Sequence, residues 1–141
     1  MAVSALVDTG VILALLDRSD LWHRPCVEVY NNTPLPLLTT QAVLAELFHL
    51  TYRNLRDVQG VWTLLESGAI RMASLQHGEL PQIQALMKQY QDRPMDFADA
   101  TLVHLAHRES LSLILTVDHD DFETYRIGGR RRFTILPRRQ P

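Results

Sequence analysis

The sequence predicts an α/β fold, a three-layer α/β/α domain built on a four- or five-stranded, mainly parallel sheet. Short apolar runs of strand length alternate with longer amphipathic runs of helix length along the chain. Such alternation requires crossover connections, which leave neighbouring strands parallel and place helices on both faces of the sheet. The 141 residues suffice for one domain with its own core. We therefore expect a single domain, 1–141, ending in a short basic tail.

The first half of the chain supplies three predicted strands and four predicted helices. Each strand is a short apolar segment, and polar pairs such as Asn31-Asn32 and Ser67-Gly68 end the helices. The predicted strands are SALVD (4–8), LPLLTT (35–40) and AIRMAS (69–74), and the predicted helices span 9–20, 22–32, 41–53 and 58–66.

The second half of the chain continues the alternation. Pro81 is tolerable in the first turn of one helix, and Pro94 introduces the next. A short acidic turn or helix and a Gly128-Gly129 turn precede the C-terminal strand. The predicted helices span 78–92 and 95–110, and the predicted strands are LSLILTV (111–117) and RFTIL (132–136).

Composition limits where the protein works. Cys26 is the only cysteine, which excludes an internal disulfide and favours a reducing compartment. No uninterrupted apolar stretch approaches membrane-spanning length, and no basic region precedes the first apolar run. We therefore expect a cytoplasmic protein that does not contact membranes.

Arginine dominates the basic residues and concentrates near the C-terminus. The net charge of −2 argues against a generally basic nucleic-acid binder. However, Lys88 is the only lysine, and six of the thirteen arginines fall in the last sixteen residues. Because the planar guanidinium suits phosphate recognition, this segment is either a phosphate-binding surface or a solvated basic tail.

Acidic side chains from four separate segments are expected at one edge of the sheet. Asp8 ends the first strand and Asp118 ends the fourth, so both lie where parallel strands have their carboxyl ends. Glu46 lies in the second turn of the helix that leaves the second strand, and its side chain leans back toward that edge. Asp96 and Asp99 begin a helix that runs antiparallel to the strand after it. Ligands of such folds bind at this edge.

Each acid also has a purely structural interpretation. The cluster Asp118, Asp120 and Asp121 is compatible with a simple turn. Asp96 is suited to cap its helix, with Asp99 complementing the helix dipole. For Glu46, the alternative is a position on the solvated face of its helix.

The helical neighbours of two acids favour burial. Glu46 is spaced three or four residues from Ala42, Val43, His49 and Leu50, and Asp99 from Met95, Leu102 and Val103. No Lys or Arg occupies the obvious partner positions on these helices. Acids on core-facing stripes are costly unless paired, so the sequence predicts one shared acidic site.

Carboxylates gathered without a basic partner indicate a bound cation. All-oxygen ligands suit Mg²⁺ or Mn²⁺ better than structural zinc. Such ions commonly serve phosphoryl chemistry, in which they activate a water, orient the phosphate and neutralise the leaving oxygen.

Four segments resemble the acidic motifs of the PIN domain family. They are ALVDTGVILALLD, VLAEL, RPMDFADATLVHLAH and ILTVDHDDFETYR, and they occur in the family's order and spacing from residue 3 to about 136. The resemblance implies a Mg²⁺- or Mn²⁺-dependent ribonuclease similar to the VapC toxins of prokaryotic toxin–antitoxin pairs. It also implies a four- or five-stranded parallel sheet, a homodimer, an RNA substrate and inhibition by a small VapB-like antitoxin.

The resemblance also assigns roles to individual positions. Gly10 stands where the family often has serine, which removes a polar contact but no ligand. We prefer Asp118 to Asp121 as the fourth acid because Asp118 directly ends its strand. The implied catalytic quartet is Asp8, Glu46, Asp99 and Asp118, with Asp8, Asp99 and Asp118 as metal ligands, Asp96 and Asp121 as additional candidates, and Thr9 and Thr116 as supporting hydroxyls.

We further expect arginines to hold the RNA, because an acidic cleft on its own repels phosphates. The candidates are Arg126, Arg130, Arg131 and Arg132, which we place beside the cleft.

Other classes of function fit less well. A haloacid-dehalogenase-type phosphatase needs an acid where Gly10 stands and an active-site lysine. A receiver domain needs a lysine where Pro137-Arg138 follows the last strand. Glu46-x-x-His49 matches half of a di-iron bundle motif, but no second copy exists. The remaining alternative is a non-catalytic PIN-like module that binds RNA or a protein.

The remaining histidines and aromatics have weaker signals. We interpret His104 and His107 as packing or surface residues, and His119 as part of a turn. Two interpretations remain open for a set of large apolar residues: a surface patch that receives an antitoxin helix, or ordinary core packing. The set is Trp22, Tyr52, Leu55 and Trp62.

Overall fold

The computed structural model describes residues 2–141 and is centred on a five-stranded parallel sheet. Its strands, numbered in chain order together with the two strands of a separate hairpin, are β1 (Ala5–Val7), β2 (Leu37–Thr40), β3 (Ile70–Ala73), β4 (Leu113–Leu115) and β7 (Thr134–Leu136). The strand order is β3-β2-β1-β4-β7, and each neighbouring pair is parallel. Helices cover both faces, so the predicted α/β fold class is confirmed.

The helices divide between the two faces. The helices before β3 pack mainly around the core residues Ala5, Val7 and Leu37, and those after it around Leu6 and Ile114. Adjacent strand residues alternate between the two cores because successive side chains point to opposite faces. The first group is α1 (Thr9–Leu16), α2 (His23–Asn32), α3 (Gln41–Thr51) and α4 (Leu55–Glu66); the second is a 3₁₀ turn (His77–Glu79), α5 (Leu80–Gln89), α6 (Phe97–Arg108) and α7 (His119–Thr124).

Two helix boundaries differ from the predicted ones for local reasons. Helix α1 ends at Leu16 instead of residue 20, because the Asp17 carboxylate accepts hydrogen bonds from the backbone and hydroxyl of Ser19 and starts a turn. Helix α4 begins one turn early because Asn54 Oδ1 accepts the backbone N–H of Asp57 at 3.1 Å, as an N-cap does.

The predicted C-terminal strand is split in two. Strands β5 (Arg126–Ile127) and β6 (Arg131–Arg132) form the separate antiparallel hairpin, and only β7 joins the main sheet. The predicted turn at Gly128-Gly129 is confirmed, with φ of +61° and +78°. These left-handed values favour glycine, which is why the chain can reverse here within three residues.

The strand order places a crevice next to β1. The chain runs from β1 through β2 and β3 on one side of this strand and then crosses to β4 and β7 on the other side. In open parallel sheets, ligands bind outside the carboxyl ends of the strands at such a switch point. Asp8 follows β1 and Asp118 lies three residues beyond β4, so both are positioned at this crevice.

Candidate metal centre

Asp8 is fixed at the end of β1 by hydrogen bonds to both of its carboxylate oxygens. It is the N-cap of α1, where Oδ1 accepts the backbone N–H of Thr9 at 2.8 Å. Oδ2 accepts the hydroxyl of Thr116 at 2.9 Å. Only 8% of the residue is exposed. Burial raises the pKa of Asp8 to about 6, and the charges of Glu46 and Asp118 add to the shift.

Of the two threonine hydroxyls expected to support this site, only that of Thr116 bonds the Asp8 carboxylate. Thr116 Oγ1 donates to Asp8 and accepts the backbone N–H of Asp118 at 3.0 Å, so one hydroxyl ties the ends of β1 and β4 together. Thr9 Oγ1 is buried and has no hydrogen-bond partner among residues 2–141. A buried polar atom without a partner is costly, and its place beside Asp8 suits a bound ion or water.

Asp99 enters the crevice from the first turn of α6. Asp96 caps this helix, accepting the backbone N–H of Asp99 at 2.7 Å, so the structural interpretation of Asp96 is correct. Asp99 is 8% exposed, and its Oδ2 accepts the hydroxyl of Tyr125 at 2.9 Å. Burial raises the pKa of Asp99 to about 8, and the charges of Asp8, Asp96 and Asp118 contribute.

Buried threonines hold α6 in register with the sheet and α3. Thr40, the N-cap of α3, shares a 2.8 Å hydrogen bond between hydroxyls with Thr101 of α6. Thr39 donates its hydroxyl to the carbonyl of Val7 at 3.0 Å. These contacts fix the helix that carries Asp99 next to the strand that carries Asp8.

The short helix α7 completes the cluster. Asp118 is its N-cap residue, and Asp121 lies one turn later. Carboxylate oxygens of Asp99, Asp118 and Asp121 lie within 4.8 Å of one another. Desolvation in the cleft raises the pKa of Asp118 to about 6, and a shared hydrogen bond and the charge of Asp121 contribute to this rise.

Glu46 lies at the rim of this cleft but is not buried. The buried side of α3 consists of Val43, Leu44, Leu47 and Thr51, whereas Glu46 is exposed. The prediction that Glu46 faces the core was therefore wrong, because the helix packs on the neighbouring stripe. Its charge still acts on Asp8, as the pKa of that group shows.

Arg93 is a residue at this site that the sequence did not single out, and Tyr125 is another. The loop before α6 places Arg93 Nε 3.1 Å from Asp121 Oδ1 and Nη1 2.9 Å from the Thr124 hydroxyl. Among residues 2–141, no other lysine or arginine pairs with the clustered acids. The expectation that these acids lack a basic partner is thus wrong for Asp121. The only sequence signal was the place of Arg93 in the motif RPMDFAD.

The donor set fits a divalent cation of the hard, oxygen-binding kind. Asp8, Asp99, Asp118 and Asp121 offer carboxylate oxygens from three separate elements, and burial, with a contribution from neighbouring acids, raises the pKa of Asp8, Asp99 and Asp118. Carboxylates and water are the ligands that Mg²⁺ and Mn²⁺ prefer. The hydroxyl of Thr9 supplies a further uncommitted oxygen.

The glycine that replaces a family serine has a steric reason. A Cβ atom on Gly10 would lie 2.7 Å from Cγ2 of Val117, in the segment that links β4 to Asp118. A side chain here would require the Val117 side chain to move. Gly10 therefore suits the close approach of α1 to the segment that leads to Asp118.

The arginine hairpin extends away from the cleft along α6. Its start is near Asp99, because Tyr125 binds that carboxylate, but Gly128 at its tip lies against the His107 ring. Eight residues of helix separate Asp99 from His107, about 12 Å at a rise of 1.5 Å per residue. The expected position of Arg130 and Arg131 directly beside the cleft therefore requires correction.

The hairpin arginines also differ in availability. Arg126 donates through Nη1 to the carbonyls of Glu123, Thr124 and Tyr125 at 2.8–3.1 Å and so holds the end of α7. Arg130, Arg131 and Arg132 are exposed.

The other predicted candidates lie outside the cluster. His104 is buried and bonds Glu79 at 2.8 Å, and exposed His107 packs against the hairpin tip. His119 begins α7 and bonds the carbonyl of Pro137 at 2.7 Å. Trp22 packs against His119 with ring centroids 5.3 Å apart and ring planes tilted by 37°, and it is half-buried by this packing.

The profile of the PIN domain family matches residues 5–127 of this chain. Ribonuclease VapC26 of Mycobacterium tuberculosis is 31% identical over 134 residues, which cover 94% of this chain and 99% of the relative. The chain therefore belongs to the PIN domain family. Within that family it is similar to the VapC ribonucleases, as the four motifs predicted.

Solved structures confirm the fold. The chain superposes on M. tuberculosis VapC20, described as a sarcin-ricin loop cleaving toxin, with a TM-score of 0.74 at 21% identity, over 83% of this chain and 92% of the other. A toxin–antitoxin complex from Klebsiella pneumoniae gives a TM-score of 0.67 at 17% identity, over 86% and 92%.

Proposed function

We propose that this protein is a metal-dependent endoribonuclease that hydrolyses RNA phosphodiester bonds at the carboxylate cleft, and that it is the toxin of a VapBC-type pair. The convergence of Asp8, Asp99 and Asp118 on one crevice is the observation that carries the proposal. All four acids of the family quartet are present, whereas the loss of one would favour a module that binds without cutting.

The roles of the acids follow from their positions. Asp8, Asp99 and Asp118 would hold Mg²⁺ or Mn²⁺, with Asp121 available from α7. Asp96 supports the site by capping α6, and Thr116 orients Asp8. Glu46, exposed at the rim, would contact the attacking water or the RNA. When bound, such an ion lowers the pKa of water and neutralises charge on the phosphate.

The protein's own groups also determine when the cation binds. With a pKa of about 8, Asp99 carries a proton at neutral pH before a cation arrives. Tyr125, whose pKa is raised by burial and by Asp99, remains a hydroxyl donor to that carboxyl. Because the ligand must be ionised, cation binding releases this proton and is weaker at low pH.

Mapping the ends of cellular RNA after incubation with the purified protein tests the proposal. We expect discrete new ends with Mg²⁺, no new ends with chelator, and none with Asp99→Asn. Asp120→Asn is the matched control, because it removes a carboxylate from the outward side of α7. Equal cutting by Asp99→Asn, or cutting in the presence of chelator, would contradict a catalytic carboxylate centre.

We also propose that the RNA leaves the cleft along the β5–β6 hairpin, where exposed Arg130, Arg131 and Arg132 bind its phosphates. The base of the hairpin is near Asp99, and its tip lies beside His107. For single-stranded RNA, removing one arginine–phosphate ion pair lowers the slope of log affinity against log salt by roughly 0.7. Replacing Arg130 and Arg131 with alanine should therefore reduce the salt dependence for long RNA but not for a dinucleotide. An unchanged slope for long RNA would remove the hairpin from the binding surface.

The expected partners are a VapB-like antitoxin and a second copy of this chain. An antitoxin is in keeping with the toxin–antitoxin complex among the structural neighbours. Tyr52, Leu55 and Trp62 remain exposed at 57%, 76% and 49%, as expected of a surface for an apolar helix. Light scattering of the purified protein, alone and with its antitoxin, would test the homodimer and the complex.

We infer that the protein acts in the cytoplasm, as one domain spanning residues 1–141. Within residues 2–141, no helix has the length and apolar character needed to cross a membrane. The single buried cysteine is in keeping with a reducing compartment. Fractionation of the producing cells would test the location.

A further inference from the structure

We propose that Arg93 is a built-in counter-ion of the carboxylate centre, and that an incoming divalent cation displaces it from Asp121. The inference rests on the proposed function only in that it involves the same carboxylates. It assigns to this arginine control over how readily the centre takes up its cation.

The contacts of Arg93 place it at the edge of the cluster. Its guanidinium donates from Nε to Asp121 at 3.1 Å and from Nη1 to the Thr124 hydroxyl at 2.9 Å. The same Asp121 carboxylate has an oxygen within 4.8 Å of oxygens of Asp99 and Asp118. Asp121 therefore lies between the arginine and the place where a cation would be bound.

The pair is suited to exchange. The side chain of Arg93 is 48% exposed and that of Asp121 30% exposed. Ion pairs with this much access to water contribute little stability, because solvent screens them and both side chains lose freedom. A divalent cation that also binds Asp99 and Asp118 has twice the charge and more ligands, so it competes effectively for Asp121.

The charge of Arg93 has opposite effects on the two states of the centre. Without a cation, it offsets part of the repulsion among the acids; its charge also opposes the rise in the pKa of Asp118. With a cation, the two positive charges repel each other. Removing Arg93 should therefore strengthen cation binding, on the order of tenfold at a separation of about 7 Å in water-like dielectric.

Arg139, in the C-terminal segment, provides a matched control because it also pairs with acids of α7. It pairs with Asp120 at 2.6 Å and Glu123 at 2.9 Å, so it neutralises α7 acids that lie outside the cluster. Replacing either arginine with glutamine changes the net charge by the same amount. Only Arg93→Gln removes the charge beside Asp121.

Calorimetric titration of Mn²⁺ into the full chain tests the proposal. We expect Arg93→Gln to bind Mn²⁺ on the order of tenfold more tightly than the unsubstituted protein at low salt, a gain that fades as salt screens the charges. Arg139→Gln should stay within about twofold, and Arg93→Lys, which keeps the charge, should stay close to the unsubstituted protein. Unchanged or weaker binding by Arg93→Gln, or an equal gain in Arg139→Gln, would overturn the proposal.

A second measurement needs no charge-removing variant. In the unsubstituted protein, the Arg93 Nε–H signal in nuclear magnetic resonance, assigned by its loss in Arg93→Lys, should exchange faster with water once Mg²⁺ is added. A signal unaffected by saturating Mg²⁺ would mean that the pair persists and the displacement does not occur. If Mn²⁺ binds as expected but RNA is not cut, the proposed function fails while the role of Arg93 stands.

Discussion

The two sides of helix α7 carry acids with opposite electrostatic behaviour. On the inward side, Asp118 joins buried Asp99, and the pKa of both is raised, mainly by desolvation. On the outward side, Arg139 holds the pKa of Asp120 and Glu123 below the usual values through direct hydrogen bonds. Acids on and around one six-residue helix thus experience opposite environments.

This difference explains the run of aspartates in TVDHDD. Outward acids with an arginine partner stabilise the C-terminal segment against α7 and need nothing more. Inward acids lack sufficient positive charge, so in the ionised form they oppose folding until a cation arrives. Acid count alone therefore does not identify a metal centre; burial and the balance of opposite charge do.

Replacing one carboxylate on each side of α7 with an amide should give the largest difference in RNA cleavage between two variants. Asp118→Asn keeps the shape but removes an inward carboxylate that we propose binds the cation, so we expect RNA cleavage to fall by about two to three orders of magnitude, beyond the 10–100-fold typical of outer-shell groups. The cation-free protein should melt at the same or higher temperature, since repulsion is relieved. Asp120→Asn should cut normally. An early-melting Asp118→Asn variant that cuts RNA normally would make these aspartates a mere turn.

The pH dependence of stability should have opposite signs for the two sides. Asp8 and Asp99 have folded-state pKa values of about 6 and about 8, above the ordinary 3.8. The stability that these raised pKa values contribute to the folded state is fully present below about pH 4 and is lost as pH rises through those values. For Asp8 alone the loss in the free energy of unfolding is on the order of 2–3 kcal/mol.

Urea unfolding in chelator between pH 4 and pH 8 measures this slope. We expect stability to fall with pH in chelator and to fall less with Mg²⁺, because a cation favours the ionised groups. The outward pair Asp120 and Glu123, with lowered pKa values, contributes stability that is lost only on strong acidification. Stability that rises from pH 5 to pH 8 in chelator would contradict the charge assignment of the inward side.

A smaller effect is expected at the hydroxyl that connects the inward acids to the sheet. Thr116→Val removes the donor to Asp8 and the acceptor for the Asp118 backbone without changing side-chain shape. Loss of such an orienting partner commonly weakens metal affinity by about 10–100-fold. Mn²⁺ titration of this variant, with the exposed hydroxyl variant Thr63→Val as control, checks the expectation. Unchanged Mn²⁺ affinity would show that Thr116 does not position the ligands.

The smallest effect should come from the outward ion pairs. Arg139→Ala breaks exposed contacts with Asp120 and Glu123, which solvent already screens. We expect a barely measurable change in melting temperature and an unchanged rate of RNA cleavage. A large loss of cleavage would mean that the outward side also serves the centre, and the contrast between the two sides would disappear.

The sequence predicts the positions of those inward acids that are determined by where a strand ends. Asp8 and Asp118 were predictable because short apolar runs define β1 and β4, and Asp99 because its helix must return to the same edge. The side of Glu46 was not predictable, since neighbouring stripes of α3 are similarly apolar and packing selects between them.

Long-range contacts were beyond the sequence. Arg93 meets Asp121 across 28 positions of the chain, through a loop whose course no periodic pattern specifies. The predicted strand RFTIL (132–136) is likewise divided between the hairpin and the main sheet, although its apolar pattern is continuous. The division arises because two glycines with positive φ reverse the chain just before this segment. The arginines expected to bind RNA were therefore placed too close to the cleft.

Anomalous diffraction from a crystal of the unsubstituted protein soaked in Mn²⁺ tests the contrast most directly. We predict a peak on the inward side of α7, with oxygens of Asp8, Asp99 and Asp118 among the ligands or one water away, and direct ligand distances of about 2.0–2.6 Å. No peak is expected at Asp120 and Glu123, where Arg139 supplies the positive charge. A peak on the outward side alone, or none at saturating Mn²⁺, would contradict the assignment of the inward carboxylates as the metal centre.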